Sequence, residues 1–289
     1  MSSSSSKKNR NTIKIYESNC RLKTGIGIWT YMVKELFESR GLIWRLVVRD
    51  ITSSYKQSIL GILWVFIAPL FIMLAFIWVK EKNILPIGKT EMPYAAFMFT
   101  GQMIWLFFSQ GITSATSSLV TAGNMLTKIN FPREVLIFSA IGTTIFNFLI
   151  RIPLLLAIYL WVDFTPDIKI IFMPFILLPL FFLIIGFGFI LSLLNAVMRD
   201  IRRVLGIIIN LGMFATPVIY PPPQDWPFSF LINIVNPVSS FITAARDLAT
   251  SGNLSNPYSY LLSLIFSLLI FFTGWRLFHL TEPKIAERV

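Results

Sequence analysis

The sequence predicts an all-α integral membrane protein with six transmembrane helices, on three observations. Hydrophobic residues make up 55% and charged residues 13% of its 289 positions, and the mean hydropathy is +0.70, which leaves too little polar surface to cover a soluble globule. Long stretches lack Asp, Glu, Lys and Arg altogether: 57–79, 92–127, 170–198, 204–224 and 248–275, with 135–162 interrupted only by Arg151. Each holds the roughly 20 residues that cross a bilayer core. Continuous apolar runs such as 170–189 are also the opposite of the alternating polarity of a barrel strand.

The elements follow in order. Residues 1–28 open with serines and basic residues and stay polar to Lys23, so they lack the apolar core of a signal peptide and are expected to form a disordered cytoplasmic arm. From 29 to 56 the apolar positions Trp29, Val33, Leu36, Phe37, Trp44, Val47, Val48 and Ile51 recur at helical spacing, with Lys34, Glu38, Arg45 and Arg49 between them. This is an amphipathic interface helix, broken at Gly41. It serves either as a plain surface anchor or also as a contact for a cytoplasmic partner. Spans are expected at about 57–79, 94–120, 135–161, 171–196, 204–220 and 258–278, followed by a tail over 281–289.

Orientation comes from the basic residues. With both termini in the cytoplasm, Arg40, Arg45, Arg49, Lys56, Lys128, Arg133, Arg199, Arg202, Arg203, Arg276, Lys284 and Arg288 fall inside, and only Lys80, Lys82, Lys89, Lys169 and Arg246 outside. That is the bias of the positive-inside rule. The net charge of +11 therefore reads as orientation and contact with anionic lipid, not as nucleic-acid binding.

Two connections stand apart from simple loops. In the inner segment 123–134, Met125, Leu126 and Ile129 form a small apolar face, Phe131 adds an anchor, and Pro132 turns the chain before Arg133 and Glu134. A face that small is buried only against something else, either the membrane surface or, as we favour, a groove on another protein. In the outer segment, Pro217, Tyr220 to Pro223, Trp226 and Pro237 divide apolar pieces too short to cross. They read as two short helices re-entering the outer leaflet, or else as an interfacial loop.

Chemistry inside the spans is sparse. Ser109, Gln110, Thr113, Ser114, Thr116, Ser117, Ser118 and Thr121 suit close helix packing. Trp64, Phe71, Trp78, Phe97, Trp105 and Phe108 offer flat faces to sugar rings, although most such residues face lipid or neighbouring helices. Arg151 costs about 2.5 to 3.5 kcal/mol to insert and must face protein or water, bonded to carbonyls or to Asn147, or else contacting an anionic pyrophosphate. Cys20 is the single cysteine and His279 the single histidine, so neither a disulfide nor a metal centre is expected, and His279 reads as structural. Gly88-Lys89-Thr90 ends like a phosphate loop, but Asn83 stands where its first glycine belongs. Asp163, Asp167 and Asp225 have no partnering histidine. With no ATP site and no hydrolase constellation, energy must come from elsewhere.

The junction from Arg40-Gly41-Leu42-Ile43-Trp44-Arg45 through Arg49-Asp50, Tyr55-Lys56-Gln57-Ser58 and Leu60-Gly61 to Trp64 and Pro69 resembles the start of the permease subunit of ABC-2 type polysaccharide exporters, whose members move O-antigen and teichoic acid precursors. Residues 123–134 resemble that family's coupling helix, and Arg199-Asp200 with Asn195 fits it too. The resemblance spans about residues 29–280. It implies a non-enzymatic permease in the bacterial inner membrane that pairs with a second copy of itself and rests on two copies of a separate ABC ATPase, which binds the ATP and Mg. The implied cargo is an undecaprenyl-linked polysaccharide such as O-antigen. Met125, Leu126, Ile129, Phe131, Arg133 and Glu134 would then couple to the ATPase, and Trp44, Arg45, Arg49 and Asp50 would mark the interface helix. Trp64, Phe71, Arg151 and Phe214 are the candidate channel lining, with span one opposite span five. Tyr220, Trp226 and Pro237 are the outer gate, in the region where the family has paired helices that narrow the exit. An ABC-2 exporter of small molecules or lipids is the main alternative. A membrane glycosyltransferase is disfavoured because no carboxylate pair lies at a membrane face.

Overall fold

The computed structural model describes residues 27–56, 59–85, 87–123, 125, 131–221 and 235–285. The arm 1–26, the coupling candidates Leu126 and Ile129, and Trp226 with the segment expected to hold the first outer helix lie outside them. Among the described residues every regular element is helical: α1 (Gly27–Glu38), α2 (Arg40–Lys56), α3 (Trp64–Glu81), α4 (Tyr94–Thr121), α5 (Glu134–Trp161), α6 (Met173–Val197), α7 (Ile201–Ala215), α8 (Pro237–Thr250) and α9 (Pro257–Ile285). Short 3-10 turns, Gly61–Leu63 and Ile168–Phe172, lead into α3 and α6.

Four of these helical stretches are long and apolar enough to cross a membrane: Gly61–Glu81, Glu134–Trp161, Ile168–Val197 and Pro257–Thr281. α4 has the length but not the apolarity, for a physical reason. It is buried along most of its course, from Tyr94 to Leu119, so its Ser and Thr side chains meet protein instead of lipid. Their hydroxyls return to the helix's own carbonyls, as Thr113 does to Ser109 (2.7 Å) and Ser117 to Thr113 (2.9 Å). α7 is shorter than the 204–220 span expected here. At 15 residues it is only about 22 Å long against a core of about 30 Å, and Pro217 lies just past its end.

α4 is the hub. α5 runs antiparallel to it, with Phe107 on Phe148 (ring centroids 4.9 Å apart) and the Thr100 and Tyr159 hydroxyls 2.8 Å apart. α6 runs parallel to it, with Ile184 against Gly111 and Ala115 against Gly188, each 2.7 Å from where a Cβ would sit. α6 and α9 approach closest of all. A Cβ on Gly186 would lie 2.6 Å from the backbone of Ile270 and Phe271, so only glycine lets the two backbones touch. Toward the C-terminal end of this pair, His279 of α9 is fully buried and its Nδ1 lies 2.9 Å from Oε1 of Glu134 in the first turn of α5.

α1 and α2 part at Ser39, whose carbonyl accepts from the amides of Leu42 and Ile43, two residues before the expected break at Gly41. α1 leans on α9 through Trp29, which meets Phe272 edge-on at 5.3 Å. α2 buries Leu46 and Val47, the latter against Gly142 of α5. Its Tyr55 hydroxyl donates to Asn147 Oδ1 at 2.6 Å. α2 is therefore docked on α5 along one face while Trp44, Val48 and Arg49 stay exposed on another. The left-handed Gly61 (φ +47°) then turns the chain into α3.

Candidate functional site

Each candidate group is set by the helices that carry it. At the end expected to face the cytoplasm, Phe131 and Glu134 are buried and Glu134 is engaged by His279, so both are committed to the fold. Met125 is half-buried, and its sulfur accepts from Nη1 of Arg49 at 3.6 Å. That contact joins the inner loop to the interface helix, where Arg49 also pairs with Asp50 at 2.8 Å. Arg133 is half-buried, and Trp44 (68% exposed) and Arg45 are exposed. The inner surface thus combines one sulfur, several guanidinia and a large indole.

Of the channel candidates, Trp64, Phe71 and Phe214 are exposed and Arg151 is buried. α3 buries only Val65, Pro69 and Met73, at a spacing of four. Its opposite side carries Trp64, Phe71 and Trp78 at intervals of seven, which places them on one exposed stripe. α7 buries Leu205 alone and exposes Ile207, Leu211 and Phe214. Both helices lean on α4 and present their other faces outward. Arg151 does not bond to Asn147, which Tyr55 occupies. Its Nε donates to the Val65 carbonyl at 3.4 Å and its Nη2 to Gln110 Oε1 at 3.2 Å.

At the opposite end, expected to face outward, the Tyr220 hydroxyl donates to the Phe214 carbonyl at 2.8 Å. Pro237 occupies the first turn of α8, capped by Asn236, whose side chain accepts from the amides of Val238 and Ser239. The residue that organises this end is Arg246, counted above among the outer charges and buried, at 5% exposure. Its Nε and Nη2 donate to the Phe97 carbonyl (3.2 and 3.0 Å), its Nη1 to Pro217 (2.7 Å) and its Nη2 also to Val218 (2.6 Å). The guanidinium lies 3.5 Å over the Phe97 ring. One side chain thereby ties α8, the outer end of α4 and the turn after α7. The available signal was an adjacent Arg246-Asp247 pair flanked by Ala244-Ala245 and Leu248-Ala249.

A polar hub helix wrapped by apolar ones, a docked amphipathic helix at one end and a short capped helix at the other define a multi-helix membrane domain. Residues 41–249 match the ABC-2 type transporter family, and the chain belongs to it. Among curated proteins it is similar to the O-antigen export system permease protein RfbA of Myxococcus xanthus, 28% identical over 264 residues that cover 89% of this chain and 99% of the relative. Two Klebsiella pneumoniae proteins of the same description are 27% and 26% identical, each over 83% of this chain and 91% of their own length. The family match begins within α2 and ends within α8, so it takes in the interface helix, the hub and the Arg246 cluster.

Proposed function

We propose that this chain is the membrane subunit of an exporter that moves a lipid-linked polysaccharide of the O-antigen kind outward across the bacterial inner membrane. ATP hydrolysis on a separate subunit drives it, and two copies of the chain form the path. The observation that carries this reading is the unpaired aromatic stripe of α3, Trp64, Phe71 and Trp78, together with the unpaired face of α7. In a two-copy assembly these faces meet and supply sugar-stacking surface along the path. The near full-length likeness to O-antigen export permeases supports the cargo. Six crossings, by α3, α4, α5, α6, the stretch from α7 through Tyr220, and α9, with both termini in the cytoplasm, fit the packing directions. The second, fourth and sixth of these run parallel to one another and the third antiparallel to them, as alternate crossing requires. The inner surface at Met125 and Arg49 is the docking face for the ATPase.

The test replaces Trp64 and Phe71 together with Ala in cells that carry the matching ATPase and glycan synthesis. Surface polysaccharide should fall and lipid-linked polymer collect inside, with the ATPase still co-purifying. Undiminished surface polysaccharide refutes the aromatic path.

A further inference from the structure

Asp247, in the last turn of α8, is only 5% exposed. Ser255 donates its amide to Oδ2 at 2.7 Å, but among the described residues no Lys, Arg or His pairs with the carboxylate. The adjacent Arg246 directs its guanidinium to the carbonyls of Phe97, Pro217 and Val218 instead. A buried carboxylate left without a counter-charge is costly.

Beside it lies a cavity of about 10 Å³, bounded by α8, the turn that follows and the first turn of α9. That is room for one water-sized particle. Ser240, Thr243 and Asp247 line it from α8, where their spacing of three and four puts them on one face. Asn256 and Ser259 line it from the other side. Thr243 Oγ1 is shut off from solvent yet has no hydrogen-bond partner among the described residues, and an orphaned buried hydroxyl on a cavity wall calls for an occupant. Asn256 is exposed, so a small ion reaches the cavity from the surface.

The donor set selects the occupant. Oxygen ligands alone suit a hard cation. Zinc takes nitrogen and sulfur, and no group of three or more His, Cys, Asp and Glu that could hold a metal ion occurs among the described residues. Magnesium keeps several waters, for which the space is too small, and calcium takes six to eight oxygens. One carboxylate among neutral hydroxyl and amide oxygens balances a single positive charge. We propose that this cavity holds one alkali-metal cation, Na⁺ or K⁺, on the Asp247 carboxylate and the Thr243 hydroxyl, with Ser240, Asn256 and Ser259 completing its oxygen shell. The ion braces α8 against the start of α9, on a different side from the Arg246 tie to α4 and to the turn after α7. The site is independent of the cargo.

The test heats the purified full-length chain in detergent at constant ionic strength, with N-methylglucammonium chloride replaced stepwise by sodium or potassium chloride. With at least one of the two, the thermal midpoint should rise saturably, by about 3 to 6 °C at ten times the apparent Kd. Asp247→Asn keeps an acceptor for the Ser255 amide but removes the charge, and should abolish the rise. Thr243→Val guards against a simple loss of fold. Removing a hydroxyl that bonds nothing in the protein is neutral or stabilising without the cation, whereas loss of a cation ligand should raise the apparent Kd about tenfold. If Asp247→Asn does not fold, Thr243→Val decides alone. A parent midpoint indifferent to both cations, as a trapped water would give, overturns the proposal, and so does a rise that either folded variant leaves unchanged.

Discussion

Replacing Arg246 with Ala removes the donor to three buried carbonyls, those of Phe97, Pro217 and Val218. The Phe97 carbonyl lies within α4 and keeps its intrahelical partner, so two carbonyls are left bare, each at a cost of about 1 to 3 kcal/mol. Water relieves part of this, and deleting a buried cation returns part of its desolvation cost. The lower bound, about 2 kcal/mol, is therefore the expected loss, equivalent to about 4 to 8 °C in the thermal midpoint at about 2 to 4 °C per kcal/mol. The assay is heating of the purified chain in detergent followed by size-exclusion chromatography of what remains folded. A second substitution isolates the cause. A Cβ on Gly101 would collide with the Arg246 guanidinium and lie 3.0 Å from the Val218 carbonyl, so Gly101→Ala should destabilise the parent markedly and the Arg246→Ala background much less. A midpoint within about 1 °C of the parent for Arg246→Ala, or strictly additive losses in the double mutant, would show that the arginine does not hold the outer end together.

Two further outcomes are expected. Met125→Asp should reduce co-purification of the ATPase while the permease still inserts, because the half-buried sulfur and its Arg49 partner sit on the proposed docking face; normal co-purification would remove Met125 from it. Gly186→Ala should cost about 1 to 3 kcal/mol by forcing the α6 and α9 backbones apart, read as a lower midpoint in the same heating assay, and an unchanged midpoint would mean that this contact is loose.

The helices that touch lipid were the most legible from sequence. α3, α5, α6 and α9 announce themselves because hydrocarbon tolerates few charges, so a bare run of apolar residues is sufficient evidence. α4 was legible in another way, since its hydroxyl and glycine content marks close packing. What remained hidden depends on partners distant in the chain. Glu134 and His279 meet across 145 positions, and the acceptors of Arg246 are bare carbonyls at chain turns, which no residue type advertises. The partner of Arg151 proved to be Gln110, 41 positions away, because a tyrosine from α2 had already taken the asparagine next to it.

The sheltering of α4 also bears on how the chain is made. A helix whose middle carries Ser109, Gln110, Thr113, Ser114, Thr116, Ser117 and Ser118 partitions poorly into hydrocarbon by itself, yet the neighbours that cover most of it are synthesised later, α5 first and then α6 and α8. During biogenesis α4 must therefore wait beside the insertion machinery, or pair with α5 as a hairpin, until its cover arrives. Assembly of this protein is in that sense ordered around a polar centre.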